Sequence, residues 1–167
     1  VAHDCHVANH TILANNTMLA GHIEVADRAY LSGAVAVHQF CRIGCLAMVG
    51  GQAHVNQDVP PYVTIDGQSS CVVGLNQIGL RRAGFRLDDV RRLKEAYGVI
   101  YRHGLKWQEI LDCLKREFAD GPATLFYQFL CSTTRGILSE RRLPPGATLK
   151  LRRQQQEEEA KLRVKAG

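Results

Sequence analysis

The sequence has no uninterrupted apolar run of roughly 18 residues or more, so no membrane-spanning helix is expected. Nor does it open on a basic stretch and an apolar run ending in small residues, and a secretory signal is not visible. It has no starting methionine. The first residue is Val1, and the chain is expected to begin inside a longer protein. Its six cysteines, at positions 5, 41, 45, 71, 113 and 131, form no CxxC pair and no His/Cys spacing of the zinc-binding kind. No metal or other cofactor is expected, and free thiols in a reducing cytoplasm fit this pattern best. A large excess of one charge is also missing. The net charge is +5, and the basic surplus lies around Arg81, Arg82, Arg86, Arg91, Arg92 and Lys94. Such a run suits a solvated helix face or an anionic partner, and no nucleic-acid partner is expected from it.

What the sequence does have is a repeat. One aliphatic residue recurs every six positions: Val1, Val7, Leu13, Leu19, Val25, Leu31, Val37, Ile43, Val49, Val55. The next residue is small at Ala2, Ala8, Ala14, Ala20, Ala26, Ser32, Gly44 and Gly50, with His38 the exception. A second mostly small or apolar set follows four positions after each aliphatic: Cys5, Thr11, Thr17, Ile23, Ala29, Val35, Cys41, Ala47, Ala53, Val59. This is the pattern of a triangular β-coil, in which short strands send one residue each into a narrow interior and tight corners tolerate little bulk. Cys5 and Cys41 therefore read as structural, inward-facing residues.

Three hexads close one turn, so residues three hexads apart stack at the strand spacing of roughly 4.8 Å. His3, Gly21, Gln39 and Gln57 share one column; Asp4, His22, Phe40 and Asp58 share the next; Ala2, Ala20, His38 and Asn56 lie on the other side. Histidines scattered along the chain thus converge on one strip, where the spacing predicts a polar site. His6, His10, His54 and His103 read as structural. The period does not fix the hand of the winding, and parallel crossovers are right-handed by default.

After Val59 the prolines Pro60 and Pro61 remove backbone donors and are expected to end the ladder. Residues 60–74 read as a loop or irregular strands. From about Asn76 the apolar period becomes helical, with Leu87, Val90, Leu93, Tyr97, Ile100 and Tyr101 on one face, then Trp107 to Phe118, then Leu125 to Leu130. Gly104 and Gly121-Pro122 punctuate these segments, so three or four amphipathic helices are expected. The expected organisation is β-helix coils with a terminating loop over 1–74, a helical domain over 75–140, and a polar tail over 141–167 with some helix near 151–164.

The stretches AHDC (2–5), ILANN (12–16), LAGH (19–22), AVHQFCRIG (36–44), MVGG (48–51), QDVPPYV (57–63), GLN (74–76), GLRRAGF (79–85), IYRHG (100–104) and STTRGI (132–137) resemble the UDP-N-acetylglucosamine acyltransferases of lipid A biosynthesis. The likeness covers about 1–138. VHQFCRIG together with QDVPPYV is far more specific than a generic hexapeptide repeat. The resemblance implies a left-handed parallel β-helix followed by a small all-α domain. It also implies a homotrimer with active sites between subunits. The activity it implies is transfer of a 3-hydroxyacyl group from acyl carrier protein to the 3-position of UDP-N-acetylglucosamine or its 3-amino analogue.

The same resemblance implies roles for residues. His3 matches the family's general base, a role that suits an imidazole titrating near the working pH. Asp4 adjoins it and is expected to orient the ring or bind sugar. Gly21 matches the glycine whose N–H receives the oxyanion. His22, His38 and Gln39 match substrate-contacting positions. Asn76 and Arg82 match positions for the nucleotide or the carrier protein, where a guanidinium suits phosphate; Ala83 departs from the basic residue often found there. Gly51 matches a position that limits acyl-chain length, and glycine leaves room for a long chain. Two other readings of the residues remain open: a hexapeptide-repeat metal lyase of the carbonic-anhydrase kind, which needs three histidines on one ion, and a non-catalytic trimeric scaffold. His3 stands on the first coil, so the chain taken alone is expected to be inactive.

Overall fold

The computed structural model describes residues 1–141; the helix expected near 151–164 lies outside the described residues. The hexads fold into two-residue strands: β1 (His6–Val7), β2 (Ile12–Leu13), β3 (Met18–Leu19), β4 (Glu24–Val25), β5 (Tyr30–Leu31), β6 (Ala36–Val37), β7 (Arg42–Ile43), β8 (Met48–Val49) and β9 (His54–Val55). They assort by threes into parallel sheets, β1-β4-β7, β2-β5-β8 and β3-β6-β9, which are the three faces of a prism. Register follows the repeat, with His6 beside Glu24, Tyr30 beside Met48 and Ala36 beside His54.

Both inward sets fill the prism. Leu19, Val25, Leu31, Val37, Ile43, Val49 and Val55 are buried, as are Ile23, Ala29, Val35, Cys41, Ala47, Ala53 and Val59. Aliphatic burial is worth about 1.5–3 kcal/mol per large side chain and drives the stacking. The inward polar atoms are satisfied locally. Thr11 and Thr17 hydroxyls donate to Ala8 O and Ala14 O at 2.8 Å, and the Cys5 thiol donates to Ala20 O at 2.9 Å. The coil turns are made differently from the expectation that a small residue marks them. The residue three after each aliphatic from Val1 to Val49 takes a left-handed backbone, from Asp4 (φ 56°) through His22 (φ 59°) to Phe40 (φ 64°) and Gln52 (φ 65°). The small residue lies two before it, where the neighbouring coil packs close: a Cβ on Gly44 would lie 2.3 Å from Pro61 N.

The prolines do not end the ladder. Val59 N–H donates to Arg42 O and Tyr62 N–H to Cys45 O, both at 2.8 Å, with Pro60 and Pro61 between them. A further strand, β10 (Val63–Ile65), then pairs parallel with β8, Thr64 beside Met48. Only the following strand, β11 (Val72–Leu75), reverses direction and closes that sheet antiparallel to β10. Proline removes a donor, but a corner of the coil needs none at that point.

Four helices follow: α1 (Gln77–Arg82), α2 (Leu87–Tyr101), α3 (Trp107–Glu117) and α4 (Thr124–Cys131). The starts of α1 and α3 are capped by side chains, Asn76 Oδ1 accepting from Gly79 N at 2.9 Å and Glu109 from Lys106 N at 2.7 Å. Leu80, Leu93, Ala96, Ile110, Leu114, Phe126 and Leu130 form their core, which Tyr62 joins from the end of the β-helix. The chain then returns. Residues 136–140 run back along the last coil, with Ile137 bridging Asp58 and Glu140 bridging Val72.

Candidate active site

The corner between the β3-β6-β9 and β1-β4-β7 faces carries His3 and Asp4 on one coil, Gly21 and His22 on the next, and Gln39 and Phe40 on the third. Backbone rungs hold the stack, His22 N–H to His3 O at 3.1 Å and Phe40 N–H to Gly21 O at 3.2 Å. The predicted columns are therefore real over these coils. The column of Asp4, His22 and Phe40 fails at the fourth. Asp58 is buried instead of joining the surface column, because Arg42 and Thr133 claim its carboxylate at 3.0 and 2.7 Å.

His3 is held in two ways. Its Nδ1 lies 2.8 Å from Asp4 Oδ2, and its ring covers Gly21, where a Cβ would come within 2.6 Å of Cε1 and 2.8 Å of Nε2. Gly21 can carry no side chain without displacing the imidazole. Its N–H donates to no acceptor among the described residues. The His3 bond, and then the charge of His22, hold the Asp4 carboxyl below its ordinary range. His22 Nε2 is 3.8 Å from the same carboxylate oxygen. The His22 ring meets His3 edge-on at 5.0 Å and stacks on Phe40 at 4.8 Å. Phe40 is exposed and gained no role from the sequence, although its column was visible there.

His38 and Gln39 stand on the same strip one coil beyond His22, both exposed, with His38 Nδ1 3.2 Å from Gln39 O. Asn76 and Arg82 are elsewhere. They border a groove of 780 Å³ on another corner of the prism, with His10, Arg28, Tyr30 and Met48. There Asn76 also has a structural task, its amide donating to Leu46 O at 2.8 Å. Gly51 is exposed on the third corner, and a Cβ there would lie 3.3 Å from Gly33 O. The buried Cys41 thiol is pushed up in pKa by that burial, which suits a packing role.

A metal lyase needs three histidines on one ion. Among the described residues, ligand atoms of His3, Asp4 and His22 lie within 4.8 Å of one another, and His38 is not among them. The donor set is thus two histidines and a carboxylate whose closest contact is a hydrogen bond to His3.

The family profile "Udp N-acetylglucosamine O-acyltransferase; Domain 2" matches residues 58–138. An acyl-[acyl-carrier-protein]–UDP-N-acetylglucosamine O-acyltransferase of Verminephrobacter eiseniae is 43% identical over 143 residues, 83% of this chain and 55% of the relative. Over most of its length the chain is similar to UDP-N-acetylglucosamine acyltransferases. Another such relative, from Synechocystis, is 44% identical over 130 residues, 78% of this chain and 47% of the relative. The UDP-N-acetylglucosamine acyltransferase structure from Francisella novicida superposes with TM-score 0.81 at 36% identity, covering 85% of this chain and 52% of the other. The Arabidopsis enzyme gives 0.76 at 36%, covering 85% and 52%. The β-helix is the left-handed one of this acyltransferase family, as the resemblance implied. The chain spans about half the length of the curated relatives it matches.

Proposed function

We propose that this chain carries the reacting part of an enzyme that transfers a 3-hydroxyacyl group from acyl carrier protein to the 3-position of a UDP-linked N-acetylglucosamine-type sugar, the first step of lipid A biosynthesis. The observation that carries the reading is the clamped imidazole of His3, bonded through Nδ1 to Asp4 and filling the space beside the Gly21 Cα, whose own N–H donates to no acceptor among the described residues. With Nδ1–H donated to the carboxylate, Nε2 keeps its lone pair and acts as base. It takes the proton of the sugar 3-hydroxyl, or of the 3-amine in the analogue, as that atom attacks the thioester carbonyl. The oxyanion so formed accepts a hydrogen bond from Gly21 N–H. Collapse expels the carrier's thiolate, which regains the proton from His3.

His22, His38 and Gln39 hold polar groups of the substrates along the strip. Asn76 and Arg82 serve nucleotide or carrier at a site completed by a neighbouring copy, which a homotrimer supplies; Ile12 and Met18, 52% and 56% exposed on the outer faces, support such an assembly. Gly51 lets a long acyl chain pass its corner. No helix among the described residues is long and apolar enough to cross a membrane, and six free cysteines support a cytoplasmic reaction.

The test is His3→Ala in the whole protein, assayed with both UDP-sugars and a series of 3-hydroxyacyl carrier proteins. A loss of about 10²–10⁴-fold in kcat with an intact assembly is expected. A mild loss removes His3 from the role of base, and stoichiometric zinc in the purified protein would sink the acyltransferase reading.

A further inference from the structure

The motif STTRGI (132–137) finds no role in the mechanism above, yet the chain's return brings it to the active-site strip. Arg135 Nε and Nη2 donate to Asn56 O at 3.3 and 3.1 Å, and Gln57 Nε2 donates to Arg135 O at 3.3 Å. Asn56 and Gln57 are the last members of the columns that contain His38 and Gln39. The cation also reaches the third coil, where it works against the burial that raises the Cys41 thiol. No carboxylate pairs with Arg135 among the described residues, and the nearby Asp58 is neutralised by Arg42 at 3.0 Å. A half-buried guanidinium is thus fixed on the strip by a carbonyl that satisfies only part of its five-donor fork.

We propose that Arg135 binds a phosphoryl oxyanion of a substrate lying along this strip. The class follows from the fork, which matches phosphate oxygens in pairs, and from the missing carboxylate. Three coils separate the Asn56 column position from that of Ala2 beside His3, about 14 Å on strand spacing. A phosphate held that far from the base fits a molecule whose reacting group lies at the end of an extended arm. Resting on the acyl-transfer reading, two sources share this chemistry: the phosphodiester joining the acyl-bearing arm to its carrier protein, and the diphosphate of the sugar nucleotide. Arg82, the phosphate candidate of the sequence, lies on a different corner of the same chain.

The experiment compares Arg135→Gln and Arg135→Lys with wild type in the whole protein, varying each substrate in turn. Loss of a charge-assisted contact should raise one KM about tenfold or more, with kcat and the melting temperature nearly unchanged. The substrate whose KM rises identifies the source, and lysine should recover part of the loss. Unchanged KM values overturn the proposal. So does a lowered melting temperature with an equal loss of kcat for both substrates, since Arg135 would then be a strap for the returning chain. If wild type transfers no acyl group, the acyltransferase reading fails separately. Calorimetric titration with inorganic pyrophosphate and with 4′-phosphopantetheine then still decides, because equal binding by wild type and Arg135→Gln overturns the site.

Discussion

Gly21 and His3 compete for one volume. An alanine at 21 would put its Cβ 2.6 Å from the imidazole, and the exposed ring has solvent to move into. Gly21→Ala should therefore cost transfer about as much as His3→Ala, roughly 10²-fold or more, while thermal melting barely changes. Retention of activity would show that the ring need not lie over residue 21. Asp4→Asn tests the other half of the clamp. The amide is a poor fixed acceptor for Nδ1–H, so kcat should fall about 10- to 100-fold with KM little changed. The Asp4 carboxyl is held low, so this pairing persists from neutral pH down to the acid side of the ordinary carboxylate range. The His3–Gly21 contact was legible in the sequence because a fixed period converts spacing into adjacency. The His22–Phe40 stack was not, since it depends on side-chain direction at left-handed corners that any residue type occupies here.

At the scale of elements, the two prolines show where local rules mislead. A rule about donors needs to know which N–H groups the ladder uses, and only the folded coil tells that. The return of residues 132–140 was equally hidden, because its partners lie far back along the chain. Two ion pairs secure it. Arg42 bonds Asp58, Ser132 Oγ and Phe129 O, with its guanidinium 4.3 Å from the Phe129 ring. Arg42→Met leaves Asp58 buried and short of its cation, and should destabilise by about 3 kcal/mol in chemical denaturation. Adding Asp58→Asn should restore part of that; strict additivity would refute the coupling. Glu140 accepts from Tyr97 Oη at 2.7 Å and Arg102 Nη2 at 2.9 Å. Burial pushes its carboxyl up, but these bonds and the Arg102 charge outweigh it and leave the pKa lowered. A lowered pKa means stability present above the unfolded value and lost as pH falls through the folded one. Glu140→Gln should thus cost about 1 kcal/mol at pH 7, and the difference in melting should vanish in acid below the usual glutamate range.

The whole molecule is a stack in which each coil is stabilised mainly by its neighbours. The helical core closes one end, where Tyr62 and Leu138 are buried. At the other end the first coil has a neighbour on one side only, and its inward residues Val1 and Val7 are 73% and 38% exposed while Leu19 and Val25 are at 3% and 0%. Nearest-neighbour stability then predicts a gradient. Amide protons of the 167-residue chain should exchange fastest over residues 1–13 and slowest over 37–65, with protection rising coil by coil. The site lies across that gradient, His3 on the loosest coil and Gln39 on a firm one. The chain by itself should therefore show little or no transfer, even with every side chain of the corner present. Stacking further hexapeptide coils before Val1 should raise protection at His6 and Ala8 and raise transfer with it. Uniform protection from the first coil onward would contradict the nearest-neighbour account and leave any lack of activity to be explained by residues outside this chain.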